Sequence, residues 1–452
     1  MKRSLVSVVL VTTVVLLLCG ASGTPAAGAL SFAAKADFAS GNAPFGVVVA
    51  DLNHDGRKDL ATANRDADTV SALPGDGNGG FGGKVDFTTG VGPWAVAVGD
   101  FLEDGWPDLV TANYSADTAT LLKGSGFGFR AKADFPVGTA PRAVAVADLD
   151  RDGHADLVTA NAANSVSVRL GSGGGGFAGL TDLAAGNDCM AVAVADLNGD
   201  GNPDLVTANK GADTIGVLLG DGNGGFAART DAATGGGPGA VAVADLNGDG
   251  RKDVVTANDY ADSVSVLLGD GNGGFAARTD LAVGASPYAV AVADFDGDRA
   301  KDVVTADFGA HTVTLLRGDG SGGFGAERAF AVGLLPRSVA AADLNGDGKA
   351  DVVTANYGAD TVSVLRNTSR PRIAALSTAR ARVGSTVTIK GWGFGARRGA
   401  SKVYFGSKAA TKYVSWAKGT IRVKVPAVSA GHRTVRVRTV DGRSSGRDII
   451  VR

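Results

Sequence analysis

Cysteine is nearly absent from this 452-residue chain. Cys19 falls in a leader-like N-terminal stretch, and Cys189 stands alone in the rest, so no intramolecular disulfide can staple the remainder. Histidine is as sparse. His54, His154, His311 and His432 are scattered through the sequence, with neither a zinc motif nor a serine nucleophile elbow beside them. No catalytic residues are assigned, and the expectation is a protein that is not an enzyme. Helical periodicity is missing too, and after Leu18 no apolar run is long enough to cross a membrane.

What is present begins with an export signal over residues 1–29. Lys2 and Arg3 precede an apolar run from Leu5 to Leu18, and Ala27-Gly28-Ala29 offers a small-residue cleavage site. A secreted or cell-surface protein is expected. Lipid anchoring through Cys19 is the less favoured variant, because Leu18 fits poorly before a lipidated cysteine. Charge is divided unevenly. Residues 370–452 hold 19 Lys/Arg against 2 Asp, net +17, whereas residues 1–369 are net −19. That split marks two domains with different partners.

One motif recurs seven times, with its first aspartate at Asp51, Asp100, Asp148, Asp196, Asp245, Asp294 and Asp343, at steps of 48 or 49 residues. Each copy follows an alternating strand such as "AVAVAD", enters a second such as "DLVTAN", and continues through a third, a "GDGNGG" turn and a phenylalanine-led fourth. Four short strands per unit is the size of a β-propeller blade. The mature chain opens on a fourth-strand segment, residues 31–38, and the seventh unit lacks one. The two ends therefore complete one blade and close the ring. The predicted fold is all-β: a seven-bladed β-propeller over 31–369, then a small immunoglobulin-like β-sandwich over 371–452. A β-helix is the alternative, with coils too short for this period.

The units "DLNGDGNPDLVTAN" and "DLNGDGRKDVVTAN" resemble the FG-GAP and VCBS repeats of integrin α-subunit propellers and of many exported bacterial proteins. The resemblance implies the propeller and its metal loops. It leaves the ligand open, since such propellers bind proteins or sugars, as one fungal lectin does.

Oxygen-bearing side chains at positions one, three and five, glycine at six and aspartate at nine suit calcium, a hard cation that takes six to eight oxygens. The twelfth-position glutamate of an EF-hand is replaced by Thr256 in the fifth copy, so the last carboxylate comes from the start of a strand. Five loops keep the full pattern: Asp51, Asn53, Asp55 and Asp59; Asp148, Asp150, Asp152 and Asp156; Asp196, Asn198, Asp200 and Asp204; Asp245, Asn247, Asp249 and Asp253; Asp343, Asn345, Asp347 and Asp351. Two depart from it. Leu102 removes a ligand from Asp100, Asp104 and Asp108, and Arg299 replaces the glycine among Asp294, Asp296, Asp298 and Asp302. These two are expected to be weak or empty, giving Ca2+ at about five sites and at most about seven. The competing reading is that the aspartates only cap turns. Seven copies at fixed spacing favour the ion, since concentrating like charge is costly unless a cation neutralises it. Calcium is then the staple that disulfides do not supply. The glycine turns at Asp76, Asp221, Asp270 and Asp319 read as plain hairpins rather than further calcium sites.

On the face opposite the metal loops the copies diverge. Two residues before the first valine of the inner strand stand Phe45, Trp94, Arg142, Met190, Gly239, Tyr288 and Arg337. After "TAN" or "TAD" come Arg65, Tyr114, Ala162, Lys210, Asp259, Phe308 and Tyr357. Phe45, Trp94, Arg142, Tyr288, Arg337, Tyr114, Phe308 and Tyr357 are the candidate ligand face for a glycan or a protein. Drift at unconstrained loop positions is the competing account. Cys189 stands where other copies have proline and reads as inert.

The segment "PRIAALSTARARVGSTVTIKGWGFG", with "VYFG" and "IRVKVP", resembles an IPT/TIG immunoglobulin-like module. At +17 it suits an anionic envelope polymer or other polyanion, with nucleic acid not expected. Docking against its own acidic propeller is the alternative. The sequence thus points to an exported, calcium-binding adhesion or ligand-binding protein. A polysaccharide lyase or hydrolase on the same scaffold, or a purely structural surface protein, is the alternative.

Overall fold

Alternating alanine and valine, as in "AVAVA", suits a strand buried on both faces, because small side chains let neighbouring sheets approach. The computed structural model, which describes residues 30–452 apart from Ala131, Asp441 and Ser445, folds each repeat on that plan. The leader and Cys19 lie outside the described residues. In the fifth unit the inner strand is Pro238–Ala244, followed outward by Asp253–Asn258, Ser263–Leu267 and Thr279–Ala282, all antiparallel. Seven such four-stranded sheets form, and inner strands of successive blades pack side by side, with Pro44–Ala50 against Pro336–Ala342 completing the circle. The outer strand of the last blade is Ala36–Ala39, paired with Thr361–Leu365 from Ala36 opposite Val364 to Ala39 opposite Thr361. Of the expected closing segment 31–38, residues 36–38 lie in this strand, which runs one residue further to Ala39, and Phe32 adds an isolated bridge to Asn367.

Packing occurs mainly between blades. Ala240, Ala242, Leu246 and Val255 of one blade bury against Val290, Val292 and Val303 of the next. Within blades a polar layer is also buried. Asn64 accepts from the Thr62 hydroxyl and donates to Thr69 and Ser71, and Ser71 donates to Asp86. The same network surrounds Asn113, Asn161, Asn258 and Asn356. It is fully bonded, which a buried polar cluster must be if it is not to destabilise the fold.

At the start of all seven inner strands, the proline or Cys189 is followed by a register shift, for example between Pro238 and Ala240. Proline lacks the ladder donor, so a bulge is cheapest there. The displaced residue is the divergent one, and all seven of these residues line one cavity on the propeller axis. A clasp between blades holds each bulge. The Asp360 carboxylate accepts from the Ala43 amide, Asp68 from Gly92, Asp117 from Ala140, Asp213 from Gly237 and Asp262 from Ser286, with Asn164 and His311 taking the remaining places.

Residues 372–451 form two facing sheets. One contains Arg372–Leu376, Thr386–Trp392, Thr420–Lys424 and Tyr413–Ala417; the other is built around Gly431–Thr439, flanked by Lys402–Phe405 and Arg447–Val451. Val387, Ile389, Phe405, Ile421, Val423, Val435 and Val437 fill the space between.

Candidate functional sites: the acidic loops and the axial face

Each acidic loop is shaped by its own carboxylates. In the fifth, Asp245 accepts from the amides of Gly248 (2.7 Å) and Gly250 (3.0 Å), Asn247 from Asp249, and Asp249 from Arg251. Positions four and six lie in the left-handed region in all seven copies, which favours glycine; Gly250 has φ 87°. Arg299 adopts the same turn at φ 77°, so the sixth loop keeps its shape at a strain of about 1 kcal/mol.

The ninth-position aspartates do more than wait for an ion. Asp253 is fully buried and accepts from Leu246 at the loop start and from Gly269 at the end of the third strand, both at 2.8 Å. Asp59, Asp108, Asp156, Asp204, Asp302 and Asp351 repeat this bridge. Gly269 is required at its position, since a Cβ would meet the Lys252 carbonyl at 2.1 Å. Burial pushes the carboxyls of Asp156 and Asp351 up to about 7, and that of Asp108 up to about 6. Neighbouring loop aspartates add to the effect.

The residues fit a divalent cation best in the third loop. Carboxylate oxygens of Asp148, Asp150 and Asp156 converge within 4.8 Å of one another, and Asp148 Oδ1 is buried without a hydrogen-bond partner. Asp100 Oδ1 in the second loop is likewise buried and unpartnered, although Leu102 supplies no oxygen there. The sixth loop, expected to be weak, also gathers three carboxylates, from Asp294, Asp296 and Asp302. Guanidinium groups already face them. Arg317 pairs with Asp296 and Asp298, and Arg372 lies 3.5 Å from Asp296. The seventh loop, expected to be strong, holds two ammonium groups: fully buried Lys349 on Asp347 at 3.1 Å and Lys418 on Asp343 at 2.5 Å. In the first, fourth and fifth loops the leading aspartate keeps its oxygens on backbone amides, Asp51 on those of Asp55 and Gly56, Asp196 on those of Gly199 and Gly201, and Asp245 as described.

Arg372 and Lys418 belong to the C-terminal sandwich, which therefore docks on the sixth and seventh loops. Gly395 and Ala396 donate backbone hydrogen bonds to the carbonyls of Asp347 and Gly346, at 2.9 and 2.8 Å. The Trp392 ring packs so closely on Gly297 that a Cβ there would fall 2.2 Å from it. Glycine turns and acidic loops share this face, as expected: Gly271 packs on Arg251 and Gly222 on Asn202. The turn aspartates Asp76, Asp221, Asp270 and Asp319 each accept two amides inside a hairpin.

On the opposite face all eight candidate ligand residues meet in one cluster. Trp94 contacts Phe45 and Tyr114, both at 4.6 Å between centroids, Phe45 contacts Tyr357 at 5.1 Å, and Tyr288 contacts Phe308 at 5.1 Å. Arg142 lies over Trp94 and Tyr114, and Arg337 over Phe45, Tyr288, Phe308 and Tyr357. The rings are packed together and half-buried rather than splayed, and Phe45, at 4% exposure, forms the floor instead of a contact surface. Residues singled out only in passing complete the rim. Lys210 and Asp259 form a buried ion pair at 2.5 Å, and Lys210 lies over Tyr260, which is 71% exposed. The clasp aspartates recur four residues after most "TAN" asparagines, a spacing plain in the sequence, but the amides they bind lie in the next blade. Cys189 is fully buried, its thiol pushed up to about 12 by burial, so it is inert as expected.

Fold and loops together define a seven-bladed β-propeller with repeated acidic loops, joined to an immunoglobulin-like sandwich. The chain belongs to the FG-GAP-like repeat family, which matches it in six overlapping stretches from 51–111 to 294–354, and an IPT/TIG domain matches residues 371–448. Among curated proteins, 80 residues are 38% identical to the cyclomaltodextrin glucanotransferase of Niallia circulans and 79 residues are 40% identical to that of Paenibacillus macerans. Each match covers 17% of this chain and 11% of the relative. Among solved structures, BBS1N in complex with ARL6DN aligns with TM-score 0.54 at 13% identity, over 76% of this chain and 98% of that one. A catalytically inactive virginiamycin B lyase from Staphylococcus aureus with quinupristin aligns with TM-score 0.52 at 13% identity, over 74% and 99%. At that identity these likenesses are of fold alone.

Proposed function

We propose that this protein is an exported, calcium-binding propeller that acts as a ligand-binding or adhesion module for a glycan or a protein. The observation that carries this reading is the axial face. Eight residues chosen at two separate divergent positions meet in a single aromatic and cationic cluster. Drift at unconstrained loops has no reason to produce such a cluster. Calcium ions, held first by Asp148, Asp150 and Asp156, would stiffen the other face and leave this one for recognition. The sandwich presents Lys390, Arg422 and Lys424 on the exposed side of one sheet, a surface suited to an anionic envelope polymer. Asp188 and Asp259, the carboxylates at the axial mouth, are held in ion pairs with Arg142 and Lys210, which favours binding over acid–base turnover. Glycan-array binding with and without a chelator is the test. Binding that weakens on calcium removal supports the reading, and turnover of the bound sugar overturns it in favour of an enzyme.

A further inference from the structure

We infer that the axial mouth takes the carboxylate of an acidic sugar, a uronate, with Arg337 as the group that receives it. This rests on the ligand-binding reading above and narrows it to one chemistry. The charges around the mouth are nearly all matched. Arg142 pairs with Asp188 at 2.5 Å, Lys210 with Asp259 at 2.5 Å, and Arg65 stands 3.8 Å from Asp66. Arg337 makes no ion pair among the described residues, and its Nε is buried without a hydrogen-bond partner. Four rings surround its guanidinium instead, with centroids at 4.1 Å for Tyr288, 4.6 Å for Phe45 and Phe308, and 5.6 Å for Tyr357. Arginine keeps its charge even so. One largely desolvated positive charge, bonded to the Tyr288 side chain and to no carboxylate among the described residues, thus lines the axial cavity.

The size and shape of that cavity select the ligand. Its volume is about 60 Å³, lined by Phe45, Trp94, Arg142, Met190, Tyr288 and Arg337. That is room for a carboxylate or about two waters, and too little for a pyranose ring. The ligand enters by its anionic tip, and its ring stays outside against the apolar edges of the half-exposed aromatics. A single unmatched charge suits a monoanion. A phosphate dianion would place its second charge beside Asp188 and Asp259, a repulsion the matched pairs do not offset.

The test uses the full chain with calcium, titrated by calorimetry with methyl glucuronide, methyl glucoside and inorganic phosphate. Glucuronide should bind about tenfold or more tightly than glucoside, and phosphate no better than glucoside. Arg337→Met should erase the difference. Gly239→Leu serves as a second variant, because a Cβ at Gly239 finds its nearest neighbours at 3.6 and 4.0 Å and Gly239 itself lines the cavity. It should abolish glucuronide binding with the melting temperature unchanged. Equal affinity for the two glycosides, tighter binding of phosphate, or a glucuronide preference that survives Gly239→Leu overturns the inference. Array binding of neutral sugars with no uronate preference sinks this inference alone, whereas no binding of any glycan or protein sinks it together with the reading it rests on.

Discussion

Two aspartates four positions apart in one loop do different work. Asp249 is exposed and orders its own turn, whereas Asp253 is buried and ties the loop start to the third strand through the amides of Leu246 and Gly269. Removing Asp253 leaves two buried donors unsatisfied, so Asp253→Ala should cost about 2–5 kcal/mol even in chelator, and the ion's contribution besides when calcium is present. Asp249→Ala should cost only the ion's contribution, about 1.5 kcal/mol at millimolar calcium for a site of ~0.1 mM affinity, and almost nothing in chelator. Urea melts of both variants in calcium and in EDTA check the contrast; a cost of Asp253→Ala that vanishes in EDTA would falsify the division of labour. The ligand spacing of these residues was legible in the sequence. The structural bridge was not, because the partner amides lie at the far ends of other segments, Gly269 being 16 residues beyond Asp253.

Among the elements, the strand Ala36–Ala39 carries the most consequence for its length. It covers Thr361–Leu365, the third strand of the last blade, which would otherwise be an exposed edge. Deleting residues 30–39 should lower the melting temperature and shift the elution profile to larger, concentration-dependent species, measured by size-exclusion chromatography with light scattering. An unchanged monomer would show that the ring does not need this strand. Blade number, strand order and closure were all readable from the 48- and 49-residue steps, because one supersecondary unit repeats and drift cannot hide its period. Distances between units were not readable. The docking of Arg372 beside Arg317 at the sixth loop joins residues 55 apart whose only common feature is charge, and nothing in their neighbours' pattern signals the meeting. The same gap explains why the seventh loop, complete in its oxygens, gave no hint that Lys418 of the sandwich stands over Asp343.

For the whole molecule, seven acidic loops should make stability depend on pH and on cations together. The carboxyls of Asp156 and Asp351 are raised to about 7 and those of Asp108 and Asp294 to about 6, chiefly by burial. A carboxyl raised in the folded state gives its full stabilisation below the unfolded value and loses it as pH climbs through the folded one. In EDTA the melting temperature should therefore fall by several degrees between about pH 5 and about pH 8. A bound divalent cation favours the ionised form, so calcium should flatten or reverse that slope, and calorimetry at both pH values with and without calcium decides it. A slope that calcium leaves untouched would separate the acidic loops from metal binding altogether. The docked sandwich supplies Arg372 and Lys418 to two of those loops, so the sixth and seventh blades should respond least to chelation.

The clasp between Ala36–Ala39 and Thr361–Leu365 also orders events in time. The propeller segment made first finds its place only when the strand made last in the ring has appeared, some 325 residues later. Until then every nascent chain is an incomplete circle, with blades that can form locally but a seam that cannot shut. The closing contact has a sequence separation near the whole length of the domain, so its loop entropy is lost in a single late step. A chain arrested on the ribosome before Leu365 should remain open to protease at that seam, however many of its blades have already folded.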